Sequence, residues 1–311
     1  MNLTSPSQVK AWCIEHDFHP NKTLGQNFLI DKNILNAIVD AGMEGVGDGE
    51  AILEIGPGLG VMTQEILRRG HDVIAIEKDL FLAEGLGERV SSFEAGVSKP
   101  GELTVVTADA LDVIGNLETA TSKLETRNSK LETLISNLPY QAGTRILLEL
   151  VQRHELKSMT VLLQTEVAER LAAKEGGRDR SLAGVWAQLD YDVAIVRKVG
   201  ANCFWPRPEV GSSVAKLVRH DRNASLTDYE RKEFHRITKQ AFSQRRKQLK
   251  NSLQLGVCSS QLGANAQQSQ PSTEDCKLQA ASSKLMQRRP EELSVDEWIM
   301  LAKEITNENA K

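Results

Sequence analysis

The sequence predicts an α/β domain built on a mostly parallel sheet, with a smaller all-α domain at the C-terminal end. Three observations predict it. Short apolar runs alternate with helix-length segments through the first two-thirds of the chain, and a glycine-rich turn follows the first well-marked run. After His220 the strand pattern gives way to helical periodicity.

The runs 51–55, 72–76, 103–107, 133–136 and 159–163 are apolar and bounded by turn residues, as strands buried on both faces are. Segments 61–69, 80–90 and 144–154 have helix length, and such alternation implies parallel strands covered on both sides. Two later β-rich runs, 189–199 and 212–218, have no good helix between them. They predict an antiparallel hairpin closing the sheet, with a long loop through Phe204-Trp205-Pro206-Arg207-Pro208. Residues 227–255 read as helix, with Phe234, Ile237, Ala241, Leu249 and Leu253 on the inner face. A last helix over 295–305 starts at Ser294, with Glu297 three residues later as in a capping box. The domains are therefore placed at 1–220 and 221–311. Two stretches read as insertions: 121–133, where Ser-Lys-Leu-Glu-Thr occurs twice, and 259–283, rich in Ser, Gln and Ala.

The 311 residues are 40% hydrophobic and 26% charged, the balance of an ordinary soluble protein. No apolar run approaches the roughly 18 residues of a membrane span, and the polar N-terminus lacks a signal-peptide core. A cytoplasmic protein without membrane contact is the expectation. Cys13, Cys203, Cys258 and Cys276 form no C-x-x-C pair, so reduced thiols and no metal are expected. The net charge of −4 is unusual for a nucleic-acid binder. Between Arg231 and Lys250, however, eight Lys or Arg residues stand against one acid, Glu233. Such local positive charge suits a face that grips phosphates, a solvated helix face being the alternative.

Glu54-Ile-Gly56-Pro-Gly58-Leu-Gly60 sits where the first of these strands runs into its helix. Glycine there allows a sharp turn and lets a ligand lie against bare peptide. The spacing is not the nicotinamide fingerprint G-x-G-x-x-G, whose last position is Val61, and the chain has no G-x-x-x-x-G-K-[ST] phosphate loop. The next strand ends in Glu77, placed to accept both ribose hydroxyls of an adenosine, and Asp109 follows the third, placed to accept from an adenine amino group. Either acid alone would read as a surface residue; three successive strand ends carrying them together point to a ligand.

Asn137-Leu138-Pro139-Tyr140 follows the fourth strand. The amino nitrogen of adenine is a poor nucleophile, because its lone pair is delocalised into the ring. Two acceptors aimed at its hydrogens draw it toward tetrahedral geometry, and the side-chain oxygen of Asn137 and the carbonyl of Leu138 are the candidates. Pro139 stiffens the loop, and Tyr140 offers a ring on which an extruded base stacks. A methyl group passing in line from a sulfonium to that nitrogen needs positioning and electrostatics more than a strong base. A strand-ending turn is the alternative reading of the four residues alone.

These residues resemble the KsgA family of ribosomal RNA adenine dimethyltransferases. The resemblance runs from Leu24-Gly-Gln-Asn-Phe-Leu29 through Glu54–Gly60, Glu77, Asp109, Asn137–Tyr140, Leu163–Val167 and Phe204–Val214. It continues through Phe242–Lys247, Asn251–Leu253 and Arg289–Val295. It implies a Rossmann-like class I methyltransferase sheet and S-adenosyl-L-methionine as cofactor; a monomer is the simplest expectation for an enzyme that docks on a large particle. The implied substrate is 16S rRNA within the 30S ribosomal subunit or its precursor, where two adjacent adenosines near the 3′ end are dimethylated. By motif, Asn27, Leu29, Gly56, Gly58, Glu77, Asp109 and Asn137 would contact the cofactor, with Asn137 also serving the target amine. Phe204 would stack on the flipped adenine opposite Tyr140, and Arg245, Arg246, Lys247 and Lys250 would meet RNA phosphate.

The chain departs from the family at Gln141-Ala142-Gly143, where Asn-Ile-Ser is usual, and at 205–211, where Glu209 and Gly211 replace expected charges. A relative that methylates large-subunit RNA shares the cofactor site; the Gln-Arg-Arg-Lys stretch and 289–295 favour the small-subunit enzyme. A DNA adenine methyltransferase lacks support, since no separate target-recognition region is visible. A non-catalytic assembly factor is disfavoured by the intact Asn137–Tyr140.

Overall fold

All seven runs marked as strands pair into one seven-stranded sheet in the computed structural model of the chain, which describes residues 1–48, 50–91, 100–116, 131–153, 156–253 and 283–309. The strands are β1 (Phe28–Leu29), β2 (Ala51–Ile55), β3 (Val73–Glu77), β4 (Leu103–Thr107) and β5 (Leu131–Asn137). They continue with β6 (Ser158–Gln164), β7 (Tyr191–Val199), β8 (Phe204–Trp205) and β9 (Ser212–Arg219). The sheet order is β4-β3-β2-β5-β6-β9-β7. Its first five strands are parallel, and β9 runs antiparallel to both β6 and β7. Every residue of β2 and β3 is buried, which is why these strands read as unbroken apolar runs.

From β2 the chain moves outward to β3 and β4, then crosses back to β5 on the other side of β2. Where the order reverses, the loops at the carboxyl ends diverge and leave a crevice. The helix Val61–Arg68 starts on one side of it, at Gly60 with φ 93°. A β-carbon on Gly60 would come within 2.6 Å of Val90 and 2.7 Å of Leu86, so both space and backbone require glycine. The helix Gly143–Arg153 starts on the other side and buries Ile146, Leu147, Leu150 and Val151. The N-terminal segment closes over the crevice because β1 pairs with β8, Phe28 opposite Trp205 and Leu29 opposite Phe204.

The expected helix over 80–90 is two, Leu80–Glu84 and Leu86–Ser91, separated at Gly85. Helices Pro6–Glu15, Lys32–Met43, Thr165–Ala172 and Leu182–Asp190 also form, in segments with no predicted element except 189–190, read as the start of a strand. The insertion residues 121–130 and 259–282, with Cys258 and Cys276, lie outside the described residues.

Two compact units result, Met1–Ala172 with Asp190–His220, and Ala173–Leu189 with Asp221–Lys311. The second therefore includes a segment that the sequence boundary at 220 left in the first domain. The reason is burial: Val185 and Leu189 share a core with Phe234, Ile237, Leu249, Leu293 and Trp298. Ser294 and Glu297 make the expected reciprocal cap, Ser294 N–H to Glu297 Oε2 at 2.8 Å and Glu297 N–H to Ser294 Oγ at 3.1 Å. The long helix expected over 227–255 is broken. It runs Asp228–Ser243, turns, and resumes at Leu249–Ser252, because the N–H groups of Leu249 and Lys250 bond the carbonyls of Arg288 and Met286 instead of the preceding turn. Among the described residues no helix is long and apolar enough to cross a membrane.

Candidate active site

A cavity of about 390 Å³ opens at the carboxyl ends of the parallel strands. Its wall includes Asn27, Leu29, Gly56, Gly58, Glu77, Asp109 and Asn137, together with Pro139. Residues separated by 110 positions in sequence thus meet at one place, because each follows or ends a neighbouring strand, or lies on the segment that β1 pins across them.

Gly56 and Gly58 have φ of 69° and 59°, which a side chain would strain. A β-carbon on Gly58 would also meet the Phe28 ring at 3.1 Å. The turn delivers the Gly58 N–H to Glu77 Oε2 at 3.0 Å, while the Asp79 N–H donates to Oε1 at 2.9 Å. Glu77 is buried, and burial raises its pKa although these two N–H bonds favour the ionised form. Each carboxylate oxygen keeps a lone pair beyond its backbone bond, so paired hydroxyls can still be received.

Asp109 is less free than the sequence implies. Its Oδ1 caps the helix Ala110–Val113 by accepting the Leu111 N–H at 3.0 Å, and its Oδ2 pairs with Lys78 Nζ at 2.7 Å. The bond to Lys78 is the largest cause holding its carboxyl below the usual range. Below the turn, Glu54 is fully buried: its Oε2 accepts from Thr63 Oγ1 at 2.6 Å, and its Oε1 has no partner. Burial pushes this carboxyl up to about 8, the Thr63 bond opposing and the Glu77 charge adding.

Asn137 closes β5. Its Nδ2 donates to the Asn27 carbonyl at 3.1 Å, which orients the amide, and its Oδ1 is buried with no hydrogen-bond partner. Leaving such an acceptor unpaired costs about 1–3 kcal/mol, which a donor brought by a ligand would recover. Pro139 turns the chain directly into the next helix, its carbonyl accepting the N–H groups of Ala142 at 3.1 Å and Gly143 at 2.7 Å. A β-carbon on Gly56 would lie 3.6 Å from Pro139 Cδ, so the glycine turn and this loop share a boundary.

Three expected residues are not brought to the cavity wall: Leu138, Tyr140 and Phe204. The Leu138 side chain is buried, and the Tyr140 hydroxyl shares a 2.6 Å hydrogen bond with Ser212 Oγ. Phe204 is 2% exposed in a core with Leu29, Val199, Cys203 and Val214, because the β1–β8 pairing folds it inward. An aromatic pair open to a base is not what the structure displays. Conversely, Lys78 and Arg145 line the cavity and were missed by sequence reasoning. Lys78 directly follows Glu77 at a strand end, which could have flagged it.

The basic stretch also divides. Arg245 is partly buried, with Nη2 donating to the Arg178 carbonyl and Nε 3.8 Å from Glu291, so it ties segments of its own unit together. Arg246, Lys247 and Lys250 are exposed. Residues 245–247 form a turn, correcting the expectation of a basic helix. Among the described residues no cluster of His, Cys, Asp or Glu could hold a metal ion.

Residues 17–288 match the family described as ribosomal RNA adenine dimethylase. The chain is 39% identical over 253 residues to ribosomal RNA small subunit methyltransferase A of Deinococcus radiodurans, covering 81% of this chain and 78% of that one. With the protein of the same name from Lactobacillus delbrueckii subsp. bulgaricus the identity is 31%, covering 99% and 98%. In structure it resembles a dimethyladenosine transferase from Plasmodium falciparum, with TM-score 0.67 at 21% identity over 90% of this chain and 98% of that one. The 23S rRNA methyltransferase ErmE follows, with TM-score 0.61 at 18% identity over 90% and 100%.

Proposed function

The chain belongs to the ribosomal RNA adenine dimethylase family, and from that premise we propose that it dimethylates the N6 amino groups of two adjacent adenosines near the 3′ end of 16S rRNA. Its methyl donor is S-adenosylmethionine, and the cavity's residues fit that group: a preset carboxylate at Glu77, bare glycine peptide, and an apolar wall including Met62 and Ile76. The observation that carries the reading is the unpaired, buried Oδ1 of Asn137 at the wall of the same cavity.

When bound, the donor supplies an electrophilic methyl group on a sulfonium. Glu77 would hold the donor's ribose, and Gly56 and Gly58 would let it lie close to the backbone. Asn27 and Leu29, on the segment pinned by β1, would cover it, and Asp109 with Lys78 would hold its adenine. Asn137 Oδ1 accepts one hydrogen of the target amine and the Leu138 carbonyl the other, which localises the lone pair toward the reacting carbon. Tyr140 is the stacking surface for the base, and Phe204 supports the β1–β8 edge behind it. The cationic product sheds its proton to water without a dedicated base.

Catalysis is assigned to the domain formed largely by 1–220 and RNA contact to that formed largely by 221–311, through exposed Arg246, Lys247 and Lys250. The working form is a cytoplasmic monomer acting on the 30S subunit or its precursor. The relatives named for the small subunit support this over a large-subunit enzyme, since the likeness to ErmE is one of fold. The test is to incubate the protein with undermethylated 30S and 50S subunits and methyl-labelled S-adenosylmethionine, then locate the label. N6-dimethyladenosine in 16S rRNA alone supports the reading; label confined to 23S rRNA, or none, refutes it.

A further inference from the structure

Behind the glycine turn lies a cation that the proposed chemistry does not use. Arg89, in the helix Leu86–Ser91, is 9% exposed. Its Nη2 donates to the Gly58 carbonyl at 3.3 Å and to the Leu82 carbonyl, and its Nε donates to the Leu59 carbonyl at 3.4 Å. One side chain therefore ties the glycine turn to the helix Leu80–Glu84, which follows Glu77. Gly58 is held from both sides, its N–H by Glu77 and its carbonyl by Arg89. The Trp12 ring covers the guanidinium, with Cζ 5.4 Å from the ring centroid.

Gly85 explains how the guanidinium fits. Its φ of −86° and ψ of 0° are open to any residue, so the backbone does not call for glycine. A β-carbon there would instead collide with Arg89 Nη1. The missing side chain makes the space that the cation fills. Burial lowers the Arg89 pKa to about 10, opposed by the charges of Glu77, Asp79 and Glu88, so the group is a cation at neutral pH.

We propose that Arg89 is a positioning residue for the methyl donor: by fixing Gly58 it holds Glu77 in the arrangement that receives the donor's ribose, an inference resting on the function proposed for this cavity. Gly85→Ala keeps the charge and a helix-compatible backbone while forcing the guanidinium to shift in its seat; Arg89→Gln removes the cation. Calorimetric titration with S-adenosylmethionine, beside thermal melts, compares both with the unaltered protein. The expected result is binding about tenfold weaker in Arg89→Gln and several-fold weaker in Gly85→Ala, both variants melting cooperatively at a lowered temperature because carbonyls bonded by the guanidinium lose a partner. A second readout separates positioning from general loosening: competition by adenosine against 2′-deoxyadenosine, whose preference for the ribonucleoside should fall toward unity in both variants. Variants that bind within twofold of the unaltered protein would overturn the inference, as would weaker binding with that preference unchanged (twofold being about 0.4 kcal/mol). No binding by the unaltered protein would instead overturn the cavity's assignment itself.

Discussion

The glycine-turn side of the cavity and the target-base side are built differently. On the first, backbone N–H groups of Gly58 and Asp79 already hold both oxygens of Glu77, and Arg89 braces the turn from behind. On the second, Asn137 Oδ1 has no partner, Tyr140 is bonded to Ser212, and Phe204 lies in the core. A preset site loses little freedom on binding, whereas a site with an unsatisfied acceptor and covered rings gains its contacts only with the substrate present. Under the proposed function, the donor side would be a finished receptor and the base side a device completed by what it modifies.

The sharpest break of that contrast is Asn137→Ala. Losing the acceptor should lower single-turnover methyl transfer by about 10³-fold, roughly 4 kcal/mol, while RNA affinity in a filter-binding assay stays near normal. Normal turnover would mean that the unpaired oxygen is idle. Phe204→Ala comes next: as a core residue it should cost about 3 kcal/mol of stability in urea unfolding, far more than Tyr140→Phe, which forfeits one hydrogen bond. A stable Phe204→Ala protein with a raised KM for RNA would place that ring at the base instead.

The basic turn offers a smaller effect. Replacing Arg246 and Lys247 together by Ala should weaken RNA binding and reduce its salt dependence by a slope of about 2. Arg245→Ala should lower stability with the slope nearly intact, given its internal partners. The reverse pattern would exchange their roles. Smallest is the pH response of Glu54. Its carboxyl is raised from 4.5 to about 8 on folding, so the protonated form is favoured in the native state. Stability from this group is complete below pH 4.5 and declines as pH rises through about 8, by at most about 1.4 kcal/mol per pH unit. Glu54→Gln should flatten that slope in melts between pH 6 and 9, and an unchanged slope would show that Glu54 is not its source.

The donor side was legible in the sequence because strand ends and glycines carry local signals. Apolar runs mark where β2 and β3 end; Gly56 and Gly58 follow the first, and Glu77 closes the second. Phe204 reads as core from its residues alone and as a base-stacking ring only through the resemblance; its burial depends on β1 and β8, paired strands of two residues each and far apart in sequence. The turn after Ser243 was hidden for a similar reason. Ala241 and Leu249 keep helical spacing, yet the N–H groups of Leu249 and Lys250 bond the carbonyls of Arg288 and Met286. Residues 174–181, Lys-Glu-Gly-Gly-Arg-Asp-Arg-Ser, have the polar, glycine-bearing composition of a boundary, yet only the burial of Val185 and Leu189 reveals where 173–189 belongs. Arg89 was equally silent: its role depends on a void at Gly85 that sequence spacing does not register.

Under the proposed function Glu77, already held at the tip of β3, seats the methyl donor. S-adenosylmethionine titrated calorimetrically into the unaltered protein and into Glu77→Gln, with melts confirming that both are folded, reads this out. Affinity should be about 10- to 100-fold weaker in the variant, as loss of charged hydrogen bonds to the ribose requires. Equal affinity in two folded proteins would contradict it.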